Sequence, residues 1–87
     1  MFVIIVYDVN QKRVGKMLKL CRRYLNWVQN SVLEGDISGA KLQMLKAEIK
    51  ELIKKEEDSV IIYQFRSTKY SDREIIGVKK GGEELIL

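Results

Sequence analysis

Met1-Phe2-Val3-Ile4-Ile5-Val6-Tyr7-Asp8 opens the chain as an unbroken apolar run that stops at a carboxylate. A run this short and this apolar reads as a strand buried on both faces. Because side chains alternate along a strand, Phe2, Ile4, Val6 and Asp8 share one face, and Val3, Ile5 and Tyr7 share the other. A chain of 87 residues with two helical segments covers only one of these faces from within. The other calls for cover from outside, and a second copy packed sheet to sheet about a twofold axis is the simplest cover. Asp8 then falls at the edge of a subunit interface.

The remaining elements follow from periodicity. Val14, Met17, Leu18, Cys21 and Leu25 recur at helical spacing and predict an amphipathic helix over about 11–25 with a basic opposite face. Trp27 to Asp36 holds two short β-type pieces, Trp27-Val28-Gln29 and Ser31-Val32-Leu33, around Asn30 and Gly35, which suits a hairpin or one bulged strand. Ser38 is a candidate N-cap for a second helix to about Lys55, with Leu42, Leu45, Ile49, Leu52 and Ile53 as its buried stripe. Glu56-Glu57-Asp58 reads as an acidic turn, and Ser59 to Phe65 as another strand apolar on both faces. Beyond residue 66 the chain is polar and punctuated by glycine, with Glu74 to Val78 and Leu85-Ile86-Leu87 as extended pieces.

The order β-α-β-β-α-β predicts an α+β ferredoxin-like sandwich, two helices on one side of an antiparallel sheet, with an extra C-terminal strand. We expect one domain over 1–87, its core at about 1–66 and a tail at about 67–87 that serves dimer or partner contacts.

Apolar content of 46% and charged content of 32% describe a globular chain and exclude a disordered one. The lone cysteine, Cys21, forms no internal disulfide and falls on the apolar stripe, which suits a reduced, cytoplasmic protein. The opening run is too short to span a bilayer and has no basic leader, so neither a signal peptide nor a membrane anchor is expected. Charge is lopsided. Residues 1–30 hold six of the sixteen basic groups and one of the twelve acidic ones, whereas 31–87 hold ten and eleven. A basic surplus confined to the first third points to a polyanion partner. Lys12, Lys16, Lys19 and Arg23 line one helical edge with Arg13 and Arg22 beside it, a set suited to phosphates without sequence readout. A solvated lysine-rich face is the plainer account of the same pattern.

Four motifs in order carry a resemblance over nearly the whole chain. They are Tyr7-Asp8-Val9 closing the first strand, the basic helix after it, Val28-Gln29-Asn30-Ser31-Val32-Leu33-Glu34-Gly35, and Asp58-Ser59-Val60-Ile61-Ile62-Tyr63. Together they resemble the small CRISPR-associated endoribonuclease family, the subunit that bridges integrase dimers during spacer acquisition. The resemblance implies a ferredoxin-like homodimer, Mg2+ held by the strand-end aspartate Asp8, and phosphodiester cleavage of RNA or DNA in some members. In others it implies a bridging role on nucleic acid beside the CRISPR integrase subunit. Leu33 stands where the family usually shows an aromatic residue, Ile61 where a basic residue is common, and Gln64 where proline is frequent.

Asp8 has chemistry of its own to weigh. Magnesium often needs one or two carboxylates plus water and substrate phosphate oxygens, and two Asp8 side chains at a twofold axis meet that need. An aspartate before a helix equally caps the helix or starts a turn. Glu34 and Asp36 are further candidate ligands, although acidic residues beside a turn are usually solvated. With no histidine in the chain, a general base has to be a carboxylate, a tyrosine such as Tyr7, or the metal's own water.

Three functions are expected to compete. The first is an endonuclease carried by Asp8, with Arg13, Arg22 or Arg23 holding phosphate. The second is a non-catalytic dimer that binds RNA or double-stranded DNA and docks the integrase through its tail. The third is a ribonuclease toxin of similar fold or a ligand-binding regulatory module.

Overall fold

The computed structural model describes residues 1–66, 74–78 and 80. Six elements follow in order: β1 (Phe2–Asp8), α1 (Gln11–Arg22), β2 (Asn26–Gln29), β3 (Val32–Asp36), α2 (Gly39–Leu52) and β4 (Ser59–Phe65). The strands form one antiparallel sheet in the order β2-β3-β1-β4, the ferredoxin-like arrangement in which the two strands leading into helices lie side by side at the centre.

Alternation along β1 separates two environments. Val3, Ile5 and Tyr7 are buried against the helices with Leu33, Met17, Cys21, Leu42, Leu45 and Ile49. Phe2, Ile4 and Val6 face the other way and stay only half-buried. The helices therefore take the odd face, and the even face carrying Asp8 is left open.

Local chemistry sets the boundaries. Asn10 caps α1, its side-chain oxygen accepting from the Lys12 amide at 2.9 Å. The helix stops at Arg22 rather than near 25 because the Tyr24 and Leu25 amides both turn back onto the Cys21 carbonyl. Val14, expected on the buried stripe, is exposed, and Leu20 is buried instead. Asn30 takes a positive φ of 42° at the turn joining β2 to β3, a conformation asparagine tolerates. The segment is thus a hairpin, with a bulge between Trp27 and Gln29. Ser38 caps α2 as expected, accepting from the Lys41 amide at 3.2 Å, and α2 ends at Leu52. Burial pushes the Cys21 thiol up to about 12, which fits a packing residue and not a nucleophile.

Glu74 to Val78 shows no strand pairing. The expected terminal piece Leu85 to Leu87 lies outside the described residues. Among the described residues no helix is long and apolar enough to cross a membrane.

Candidate active site and nucleic-acid interface

The open sheet face is built by two strands in register. Phe2, Ile4, Val6 and Asp8 of β1 stand opposite Phe65, Tyr63, Ile61 and Ser59 of β4, and Val32 of β3 continues the same face beside Val6. Ile61 and Tyr63 are 48% and 49% exposed. The Phe2 and Phe65 rings meet at 6.3 Å between centroids. The result is a contiguous, partly exposed apolar patch. Asp8 is exposed at its rim, at the last position of β1.

The other candidate carboxylates lie elsewhere along the sheet. Glu34 pairs with Ile4 and Asp36 with Phe2, so at ~3.3 Å per residue they stand about 13 Å and about 20 Å along the strand from Asp8. Asp36 is also engaged by the N-terminal ammonium at 3.6 Å. Among the described residues no three His, Cys, Asp or Glu side chains gather to hold a metal ion. One protomer thus presents Asp8 without Glu34 or Asp36 beside it.

Tyr7, considered above as a general base, is turned the wrong way. It lies on the helix face at 3% exposure, and burial raises its hydroxyl above the ordinary tyrosine value. It packs the core beneath the site.

The basic residues of α1 divide into two groups. Lys12, Lys16, Lys19, Arg22 and Arg23 are exposed. Arg22 lies over the Trp27 ring at 5.5 Å, and Arg23 lies over Tyr24 at 5.6 Å while pairing with Glu48 at 3.3 Å. Tyr24 donates a hydrogen bond from its hydroxyl to the same Glu48, which raises that hydroxyl's pKa and ties the residue after α1 to α2. Trp27 donates its ring N–H to the Asn30 carbonyl at 3.0 Å. Both aromatics are half-buried, so they shore up the end of α1.

Arg13 stands apart. Its side chain is 12% exposed and reaches away from the stripe to Asp58 at 2.6 Å and Glu57 at 3.0 Å. The Asp58 side chain is fully enclosed and accepts from four donors: Arg13 Nε at 2.6 Å, Arg13 Nη2 at 3.1 Å, and the amides of Asn10 and Lys54, each at 2.8 Å. The Arg13 guanidinium above all, helped by the two amides, holds the Asp58 carboxyl well below the usual carboxylate range. In the sequence Asp58 stands at the end of an acidic turn and at the head of one of the four motifs, with nothing that ties it to Arg13. The signal that was present, an arginine in the first turn of α1 and an aspartate ending the α2–β4 turn, is spread over 45 residues and gains meaning only once the sheet closes.

A family model described as CRISPR associated protein Cas2 matches residues 1–73. The chain is 59% identical over 87 residues, 100% of both sequences, to a Dictyoglomus turgidum protein named CRISPR-associated endoribonuclease Cas2. It is 54% identical over 86 residues, 99% of both sequences, to a Thermotoga maritima protein of the same name. A solved structure titled as the crystal structure of cas2 matches with a TM-score of 0.83 at 46% identity, over 92% of this chain and 90% of that one.

Proposed function

The chain belongs to the CRISPR-associated Cas2 family, and from that premise we propose that it is a Mg2+-dependent endonuclease cutting RNA or DNA phosphodiesters as a cytoplasmic homodimer packed sheet to sheet. The observation that carries the reading is the place of Asp8, exposed at the rim of an apolar sheet face that a second copy would cover. A twofold axis through that face would bring the two Asp8 carboxylates towards one another.

The donor set suits magnesium. One carboxylate from each copy, with water and phosphate oxygens filling the remaining positions, matches the ion's preference for few protein ligands. When bound, the ion neutralises phosphate charge and makes a coordinated water more acidic. The chain's own residues do the rest. Asp8 would hold the ion from the end of β1, and the exposed cations of α1 would hold the polyanion. Tyr7 faces the core and the chain holds no histidine, so neither residue type supplies a proton acceptor at this end.

A second role is favoured by the exposed charge. Sheet-to-sheet packing would turn both α1 helices outward, so Lys12, Lys16, Lys19 and Arg22 of two copies would form one basic surface able to hold duplex DNA. That is the surface a bridging subunit of the spacer integration complex needs, and the tail over 67–87 is the segment we assign to contacts with the integrase subunit. Family membership favours this CRISPR setting over a toxin of similar fold.

Replacing Asp8 by Asn tests the catalytic reading. Mg2+-dependent cleavage should be lost while folding and duplex binding stay intact, and unchanged cleavage would remove Asp8 from the mechanism.

A further inference from the structure

We propose that Asp58, held by Arg13, is a positioning residue for Asp8. The proposal rests on the reading of Asp8 given above and deepens it.

The geometry around Asp8 is asymmetric. On its N-terminal side β1 is paired on both edges, to β3 and to β4. At Asp8 itself the described ladder continues only to Ser59 of β4, since on the other edge the β3 register ends at Val6 and the last backbone bond is from the Tyr7 amide to the Ser31 carbonyl at 3.1 Å. A strand end supported on one edge frays readily. The chain then has two residues, Val9 and Asn10, before α1 begins.

The Asp58 carboxylate closes that gap. It directly precedes Ser59, the residue paired with Asp8, and it accepts the amide of Asn10, two residues beyond Asp8, at 2.8 Å. The same carboxylate takes Arg13 from the first turn of α1 and the Lys54 amide from the end of α2. Glu57 adds a second clasp, accepting from both Asn10 Nδ2 and Arg13 Nη2 at 3.0 Å. Asp8 and the turn that follows it are therefore tied to one short segment, 57–59: Asp8 by ladder pairing to Ser59, and Asn10 and Arg13 by bonds to ionised carboxylates, the stronger kind. An enclosed carboxylate saturated with donors has nothing left to offer a metal or a substrate. Its service is to fix where the next carboxylate stands.

Such fixing has a measurable consequence. When two ligands on separate chains converge on one ion, an error of about 1 Å at each can cost on the order of 10²-fold in rate. Asp58→Asn replaces an acceptor oxygen with an amide that faces donors, and Arg13→Gln removes the charged fork while leaving both backbone amides on Asp58.

The test uses the full chain in five forms: wild type, Asp58→Asn, Arg13→Gln, Arg13→Lys and Asp8→Asn. Each is checked for fold by circular dichroism and for RNA affinity. The readouts are single-turnover cleavage, the Mg2+ concentration for half-maximal rate, and hydrogen exchange at the Asn10 amide. Asp58→Asn and Arg13→Gln are expected to stay folded at assay temperature and bind RNA as wild type does. Their cleavage should fall by about 10- to 100-fold, with a raised Mg2+ requirement, and protection of the Asn10 amide should be lost in Asp58→Asn and weakened in Arg13→Gln. Arg13→Lys, which keeps the charge but not the fork, should recover part of the rate. Asp8→Asn should abolish cleavage yet keep Asn10 protected.

A merely structural role would lower the melting temperature without changing the rate or Mg2+ requirement of the folded molecules, and that result overturns the proposal. If Asp58→Asn fails to fold, Arg13→Gln decides by the same readouts. If Asp8→Asn cleaves normally, Asp8 has no reaction to be placed for and both readings fall. If Asp8→Asn is inactive while folded Asp58→Asn and Arg13→Gln match wild type, only the positioning role falls.

Discussion

Salt dependence of duplex binding converts the surface of α1 into a number. Lys12, Lys16, Lys19 and Arg22 are exposed and carry no ion pair among the described residues, whereas Arg23 is shared with Glu48 and Arg13 is committed to Asp58 and Glu57. If one protomer engages a phosphate with each of the four, log affinity falls against log salt with a slope of about −3.6, at about −0.9 per contact. Raising salt from about 50 to about 200 mM then weakens binding by roughly 150-fold. Removing Lys16 and Lys19 together should halve the slope to about −1.8, so the same salt step costs only roughly 12-fold. Arg13→Ala is the internal control: its slope should match wild type, because its guanidinium is already neutralised by carboxylates. Fluorescence anisotropy with a labelled duplex at several salt concentrations reads all three proteins. A double lysine variant with an unchanged slope would refute the assignment of this face to phosphates and return it to a solvated surface. A slope that falls equally in Arg13→Ala would show that the Asp58 pair opens on binding.

Other outcomes follow from burial and charge. Leu45 is fully buried between the helices and the sheet, so Leu45→Ala should cost about 2–5 kcal/mol in a denaturant melt. Ile61→Asp places a charge on the open face, where the isolated protomer is already half-exposed. It should leave the fold intact and abolish self-association in sedimentation. The Asp58 carboxyl is held below its ordinary value of 3.8. Its contribution to stability is therefore complete above that pH and lost as pH falls through the lower folded-state value. The stability gap between wild type and Asp58→Asn should be flat from about pH 5 to 8 and shrink below about pH 4. A thiol-reactive dye should label Cys21 only at the rate of unfolding, since the thiol is buried and pushed up to about 12.

The fold was largely legible because its signals are local. The run from Phe2 to Tyr7 announced a strand apolar on both faces, the Ser38 cap located α2, and the strand at Ser59 to Phe65 matched its sequence bounds. Which face of β1 the helices would take was not legible, since both parities are apolar and only the packing of Val3, Ile5 and Tyr7 decides it. The misplaced residues share a cause. Val14 lies on the edge of a helical wheel, where a turn of a few degrees moves it from core to solvent. Tyr7 follows from parity, and Arg13 from a partner 45 residues away. Sequence adjacency grouped Arg13 with the stripe, but an arginine in the first turn of a helix also reaches across to whatever the next crossover delivers. Here that crossover delivers Asp58, a residue whose role exists only in three dimensions.

The central claim is that two Asp8 carboxylates, one from each copy, form a single metal site. Mixing wild type with Asp8→Asn under conditions that exchange subunits tests it most directly. If both carboxylates are needed, mixed dimers are inactive and cleavage follows the square of the wild-type fraction, so an equimolar mixture keeps about a quarter of the full rate. A linear fall, with about half the rate at equal amounts, would mean that each protomer acts alone and would contradict the account.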